Sequence, residues 1–381
     1  MSDTSGITLL PKLMIAGGGT GGHVLAGISV AEEWQKQFKL NREMNRICFI
    51  GAQGRMEEQL VPQAGYPLKL LRVGSLNRVS FQRKLTTLFQ LPLAFLHSAY
   101  FLFREKPSVL LGVGGYSSGP VLLMARVMNA LGLLKTKIAM LEQNSVPGFT
   151  NRLVSRFADI IFAAFPGTEK QFAGKKVIVT GNPIRMVMQP MPSAKRIPFT
   201  IFIFGGSQGA VGINTLVIEA LAHLKPLKDQ LKWIHQTGVK DFERVQKAYF
   251  EAGIVGRIEK FIDDMASVYQ ESSLIICRAG SSTLSEIAAV GRASILIPLP
   301  TAADNHQEHN ARVLSEAGAA HLFIQTGAQG EDLAKIIRYF FENHLEIESM
   351  EKKVKQVYQP QAAARIVQEL KGINSPQQVV V

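Results

Sequence analysis

A chain of 381 residues is long enough for two domains of ordinary size, and its 46% hydrophobic and 19% charged residues exclude a disordered protein. The formal net charge of +12 lies wholly in the first half: residues 1–185 carry 22 Lys and Arg against 10 Asp and Glu, whereas residues 186–381 carry 20 of each. Such a one-sided field attracts nucleic acid or an anionic membrane surface. With no basic run interleaved with aromatics and no zinc-finger or RNP-type motif, no nucleic-acid partner is expected.

The first apolar run, Leu13–Ala16, leads into Gly17-Gly18-Gly19-Thr20-Gly21-Gly22-His23, and residues Val24–Trp34 follow with helix-compatible small and apolar side chains. The glycines therefore occupy a strand-to-helix turn. Backbone N–H groups at a helix start have no intrahelical partner and lie at the positive end of the helix dipole, so such a turn binds anions. Gly17, Gly19 and Gly22 also satisfy G-x-G-x-x-G, which in a dinucleotide-binding unit requires an acidic ribose reader after the second strand. That strand is read as Arg46–Ile50, and Gly51-Ala52-Gln53 after it offers no carboxylate.

Arg55–Glu58 opens a short helix, Lys69–Val73 reads as a third strand, and Leu85–Arg104 as a helix. Within it, Leu88–Phe103 is interrupted by Gln90, Pro92 and His97 and is too short for a membrane span, which needs about 20 apolar residues. Its flanks, Arg78, Arg83 and Lys84 before and Arg104 and Lys106 after, fit an interfacial membrane contact as well as a crossover helix buried on a sheet. A strand at Ser108–Val113 runs into a second glycine loop, Gly114–Pro120. Lys137–Leu141, Ile160–Phe162 and Val177–Val179 complete the half. Strands alternating with helices at this spacing predict a parallel sheet whose loops open at the strands' carboxyl ends.

Pro190, Pro192 and Pro198 mark a linker, after which the pattern restarts. Phe199–Phe204 is a strand, Gly205-Gly206-Ser207-Gln208-Gly209 a turn, and Ile213–Leu224 a helix. The strand Leu274–Cys277 then leads to Arg278–Glu286, where Ser281, Ser282 and Thr283 offer hydroxyls to a phosphate and Thr283 with Glu286 also has the spacing of a capping box. Ile295–Pro298 is a further strand, Asp304–Gln307 opens another helix, and Asp332–Leu370 is helical. The expected fold is α/β, with two Rossmann-like domains and a cleft between them: residues 1–185, residues 186–360, and a C-terminal helix and tail at 361–381. Cys48 and Cys277 lie in apolar runs outside any metal-ligand spacing and read as reduced thiols of a cytoplasmic protein; Met1–Gly6 lacks the basic region of a signal peptide.

Seven motifs in order, Gly18–His23, Gly114–Pro120, Glu142-Gln143-Asn144, Gly181–Arg185, Gly205–Ala210, Phe261–Met265 and Cys277–Gly280, resemble the MurG-type family of UDP-N-acetylglucosamine-dependent transferases, glycosyltransferase family 28. The resemblance covers roughly residues 12–320 and implies a GT-B fold and transfer of N-acetylglucosamine to an undecaprenyl-diphosphate-linked N-acetylmuramyl pentapeptide. It implies His23 as general base. The implied donor contacts are Thr20, Gly21, Gly22, Asn144, Arg185, Ser207, Ile262, Ser281, Ser282, Thr283, Leu284, Ser285, Glu286 and Gln307, with His306 beside the last. Gly18, Gly19, Gly115, Tyr116 and Ser117 would hold the acceptor diphosphate. It further implies no cofactor and no metal, an anionic membrane surface and cell-wall synthesis proteins as partners, and a peripheral place on the cytoplasmic face of the bacterial membrane. Two positions depart from the pattern: Leu141 stands where the family often has histidine, and Ser281 where alanine is common. An enzyme glycosylating a diacylglycerol-type lipid, an NAD(P)-dependent oxidoreductase and a non-catalytic nucleotide-sugar-binding protein are the alternative readings.

Overall fold

The computed structural model describes residues 10–41, 44–73, 81–184, 188 and 198–372, with backbone alone over 81–90. The chain divides into two units, one formed by residues 1–143, 147–183 and 361–381, the other by 144–146 and 184–360. Met1–Gly6, Arg78, Arg185, Pro190, Pro192 and the tail from Ser375 lie outside the described residues, as do the side chains of Leu88, Arg83 and Lys84.

In the first unit the strands are β1 (Leu13–Gly17), β2 (Ile47–Ala52), β3 (Leu68–Leu71), β4 (Val109–Gly114), β5 (Lys137–Glu142), β6 (Ile160–Ala163) and β7 (Val177–Val179). Between them run α1 (Gly21–Gln37), α2 (Glu57–Gln63), α3 (Phe81–Glu105), α4 (Ser118–Ala130) and α5 (Phe149–Val154). The strands form one sheet in the order β3-β2-β1-β4-β5-β6-β7, parallel throughout. Because side chains alternate along a strand, β1 feeds two cores. Leu13 and Ile15 join Val24, Ala31 and Trp34 on one face, and Met14 and Ala16 join Leu102, Val121 and Leu122 on the other. Cys48 is buried in the second of these cores, and burial pushes its thiol up to about 12, which keeps it protonated and inert.

The second unit contains β8 (Phe199–Phe204), α6 (Val211–Leu224), β9 (Leu231–Gln236), α7 (Phe242–Ala252), β10 (Gly256–Glu259), α8 (Met265–Glu271), β11 (Leu274–Cys277), α9 (Ser281–Val290), β12 (Ser294–Leu296), α10 (His306–Glu316), β13 (His321–Leu322), α11 (Gly330–Glu342) and α12 (His344–Val357). Its sheet is again parallel, in the order β10-β9-β8-β11-β12-β13. The last helix, α13 (Ala362–Gly372), belongs to the first unit, where Ile366, Val367 and Leu370 pack with Trp34 and Lys371 lies 4.5 Å over the Phe38 ring.

Sequence reading passes over β9, α7, β10 and β13. The strand β9 mixes Lys232 and His235 into an apolar run, β10 is the polar edge strand Gly256–Glu259, and β13 is two residues long. The expected Asp332–Leu370 helical stretch is three helices, because Asn343 ends the first and Tyr358 the second.

Candidate functional site

In both sheets the strand order reverses at one point, between β1 and β4 in the first unit and between β8 and β11 in the second. Ligands of open parallel sheets bind outside the carboxyl ends of the strands at such a switch point. The loops leaving these four strands are the glycine-rich and hydroxyl-rich turns singled out from sequence.

In the first unit the Gly18 amide donates to the Gly114 carbonyl at 3.1 Å. A side chain at Gly115 (φ +85°) would run into the Gly18 carbonyl, so the two loops lie backbone against backbone. His23, third residue of α1 and half-buried, places Nδ1 3.1 Å from the Gly18 carbonyl oxygen. A carbonyl only accepts, so the neutral ring carries its hydrogen on Nδ1 and its lone pair on Nε2. That Nε2 lies 3.1 Å from where a Cβ at Gly114 (φ +97°) would stand, so only glycine leaves the ring its place. Thr20 is exposed at the N-cap of α1 with no side-chain capping bond, and Gly21 and Gly22 open the helix. On the facing loop Tyr116 is 37% exposed, and Ser117 is buried with its hydroxyl unpartnered among the described residues.

A carboxylate missed by sequence reading braces this loop. Glu57, 1% exposed, accepts the Gly19 amide on Oε2 at 2.9 Å and the Ala52 amide on Oε1 at 2.8 Å. The acid sought at the end of β2 is thus present five residues later, and each of its oxygens holds a backbone amide. The Gly19 N–H is therefore already engaged, which leaves the first-turn amides of α1 to meet an anion. Nothing in the sequence separates Glu57 from an ordinary first-turn acid.

In the second unit Ser207 is exposed on the turn after β8. Gln236, 2% exposed at the end of β9, donates to the Gly206 carbonyl at 3.0 Å and accepts the Ile262 amide at 2.8 Å. One buried amide thus ties two expected donor-binding segments together, and it went unseen because β9 did. Ser281, Ser282 and Thr283 form the half-buried first turn of α9. Its N-cap is Gly280, with no side-chain capping bond, so the expected capping box of Thr283 and Glu286 is not formed; Thr283 already has helical backbone and lies one turn too deep to cap. Glu286 instead accepts the Tyr269 hydroxyl at 3.1 Å. Leu284 is buried and Ser285 donates to the Ser281 carbonyl. Gln307 accepts the Leu299 amide on Oε1 at 2.9 Å, and His306 sets Nδ1 2.7 Å from the Ala303 carbonyl oxygen.

Arg278 follows β11, with Nη1 donating to the Ile297 and Pro298 carbonyls, each at 3.0 Å, and burial brings its guanidinium down to about 10. Asn144 clusters with this unit. Leu141 is fully buried in β5, so its position presents no polar group. Arg185 lies outside the described residues.

The C-terminal-domain model of glycosyltransferase family 28 matches residues 200–368, and the N-terminal-domain model of the same family matches 13–163. The chain belongs to glycosyltransferase family 28. A relative from Myxococcus xanthus, named UDP-N-acetylglucosamine--N-acetylmuramyl-(pentapeptide) pyrophosphoryl-undecaprenol N-acetylglucosamine transferase, is 42% identical over 93% of this chain and 91% of its own length. A relative of the same name from Syntrophus aciditrophicus is 40% identical over 93% of this chain and 97% of its own. The crystal structure of Acinetobacter baumannii MurG matches with a TM-score of 0.78 at 32% identity, covering 95% of this chain and all of that one. The two parallel-sheet units of this family 28 chain are the α/β architecture expected from the repeated strand-loop-helix pattern.

Proposed function

We propose that the chain is an inverting glycosyltransferase that moves N-acetylglucosamine from UDP-N-acetylglucosamine to the 4-hydroxyl of N-acetylmuramyl pentapeptide on undecaprenyl diphosphate, converting lipid I to lipid II in peptidoglycan biosynthesis. The observation that carries the chemistry is the His23 ring, whose Nδ1 contact with the Gly18 carbonyl fixes the lone pair on Nε2. In that tautomer Nε2 removes the proton from the 4-hydroxyl as the oxygen attacks the anomeric carbon, and the UDP oxygen leaves from the opposite face. Gly18, Gly19, Gly115, Tyr116 and Ser117, in the two facing loops, hold the acceptor diphosphate, and Thr20, Gly21 and Gly22 at the start of α1 belong to the donor contacts.

The second unit holds the donor. The turn at Ser207 and the first turn of α9 at Ser281–Thr283 receive the charge that gathers on the departing diphosphate. Ile262 and Arg185 contact the uracil end, Glu286 the ribose hydroxyls, and Gln307 with Asn144 the sugar. Domain roles follow: residues 1–185 serve the acceptor and 186–360 the donor.

No helix among the described residues is long and apolar enough to cross a membrane. Along α3, however, Leu93, Leu96, Tyr100 and Phe103 are 41%, 66%, 54% and 54% exposed at helical spacing, while Ala94, Ser98 and Leu102 face inward and are buried. Arg104 lies 5.9 Å over the Tyr100 ring and Lys106 5.5 Å over the Phe103 ring. An apolar stripe ending in cations, on the half that holds the net charge, supports peripheral attachment to the anionic cytoplasmic face of the bacterial membrane, where a polyprenyl acceptor resides.

Turnover with UDP-N-acetylglucosamine and a lipid-diphosphate acceptor tests the reading, with UDP-glucose and UDP-N-acetylgalactosamine as donor controls and a diacylglycerol as acceptor control. Product from the first pair alone supports it; glycosylation of the diacylglycerol in its place contradicts it.

A further inference from the structure

Glu57 and His23 meet on one peptide group. The Gly19 N–H that donates to Glu57 Oε2 at 2.9 Å and the Gly18 carbonyl that lies 3.1 Å from His23 Nδ1 belong to the same peptide bond. Resonance keeps that group planar and couples its two ends. A carboxylate drawing on the N–H therefore sends electron density to the carbonyl oxygen, and the hydrogen bond from Nδ1–H strengthens. The carboxylate has little room to shift: its other oxygen accepts the Ala52 amide at 2.8 Å, a Cβ at Gly18 would run into the carboxylate itself, and one at Gly51 would run into Cγ. The preceding amide, Gly18 N–H, is held by the Gly114 carbonyl at 3.1 Å, so the peptide is pinned along its whole length.

The other ionisable side chains around α1 stand differently. The strands β1 and β4 carry none, the loop after β4 carries the exposed Tyr116, and α2 adds the exposed Glu58, which accepts the Gly54 amide. Glu32, Glu33 and Lys36 follow His23 on its own helix by two turns or more, and α13 brings Arg365, Glu369 and Lys371, the last reaching the Gln37 carbonyl at the far end of α1. Glu57 is the one of these that is buried.

We propose that Glu57 is a positioning residue for His23 that acts through the peptide group between Gly18 and Gly19, holding the imidazole with its hydrogen on Nδ1 and stabilising the imidazolium formed when Nε2 takes the acceptor's proton. The proposal rests on the transfer reading above. No proton passes through the peptide: Nε2 gains the one from the 4-hydroxyl, while Nδ1 and the Gly19 nitrogen keep theirs. The effect is that of a carboxylate placed behind an imidazole, with an amide between the two.

The test is NMR of the full chain carrying isotope-labelled histidine, the His23 signals being those lost in His23→Gln, beside the pH dependence of kcat/KM. Wild type should show the neutral ring protonated on Nδ1. Glu57→Gln should lower the midpoint of the His23 titration by roughly half a pH unit, because the imidazolium loses the negative charge behind it. The acid limb of the pH–rate profile should move down with it, and the plateau should fall severalfold. Glu58→Gln, which removes the exposed carboxylate of the same helix, should leave the midpoint where it is. A plateau loss in Glu57→Gln with the midpoint unmoved overturns the proposal, since a brace that only stiffens the loop gives that result. A wild-type ring protonated on Nε2 overturns it before any variant is made. Should Glu57→Gln not fold, Glu57→Asp, which draws the charge one methylene back from the Gly19 amide, takes its place with the same expected direction. The NMR titration needs no substrate, so a chain whose His23 behaves as described and yet transfers no sugar overturns the transfer reading and not the coupling of Glu57 to His23.

Discussion

The two units carry the same strand-turn-helix device at the same switch point and finish it differently. Around the first turn the brace is ionic: the buried Glu57 carboxylate holds Gly19 and Ala52, and the facing loop is pressed on it through Gly114 and Gly115. Around the second turn the side chain that touches the loop is an amide: Gln236 links Gly206 to Ile262, while Asn214 donates to the Thr237 carbonyl and to the Asp241 carboxylate, itself paired with Arg244, and places its Oδ1 3.0 Å from His235 Nε2. The carboxylate beside the first turn fixes the loop that carries His23 by holding the Gly19 amide. The neutral Gln236 amide adds no negative charge beside the second turn. In the proposed reaction the first of these motifs carries the base and the second receives the leaving group.

The largest expected effect separates the two roles. His23→Ala should lower turnover by at least ~10² while UDP binding, which is proposed for the other unit, stays within about twofold; steady-state kinetics beside a UDP titration reads both. Equal loss of UDP binding would erase the division of labour. Glu57→Ala should lower turnover by a comparable or somewhat smaller factor, on the order of tens, again without loss of UDP affinity, because the amides of Gly19 and Ala52 lose their acceptor and the loop under His23 loosens. Glu57→Gln, which keeps one acceptor oxygen, should fall between Ala and wild type. In the second unit Gln236→Ala should raise the KM for UDP-N-acetylglucosamine by about tenfold and change kcat less, since it frees both the Ser207 turn and the Ile262 segment. A kcat loss with KM unchanged would move Gln236 out of donor positioning.

The smallest effect is on stability and lies beneath the second turn. Burial drives the His235 imidazole from 6.5 down to about 3, against a smaller opposing pull from Asp241. Below pH 6.5 the unfolded chain takes up a proton that the folded chain refuses until about pH 3. Stability therefore falls as pH drops through that window, by up to about 1.4 kcal/mol per pH unit. Thermal unfolding of wild type and His235→Gln between pH 7 and pH 5 checks it: the variant's dependence should be flatter, and parallel curves would remove His235 from the acid response.

The repeated strand-loop-helix pattern was legible in the sequence because buried parallel strands are uninterrupted apolar runs punctuated by glycine. Both switch-point turns, His23 at the start of a helix, and the hydroxyls of Ser281–Thr283 follow from that pattern. The braces were not legible. Glu57 and Gln236 each tie together backbone groups of separate segments, and an isolated acid or amide side chain carries no periodicity. The Thr283 and Glu286 spacing misled for a related reason: a capping box depends on which residue first leaves helical geometry, and here that is Gly280. On α3 the inner face is buried, as in a crossover helix, and the outer face is an exposed apolar stripe of the kind the proposed membrane contact needs.

The most direct test of the transfer reaction uses a matched pair of acceptors, the lipid-diphosphate N-acetylmuramyl pentapeptide and its 4-deoxy counterpart, with UDP-N-acetylglucosamine as donor. UDP should be released mole for mole with a β-linked disaccharide lipid from the first and not released from the second. Glycosylation of the 4-deoxy acceptor, or UDP release at the same rate without any acceptor, would contradict the account.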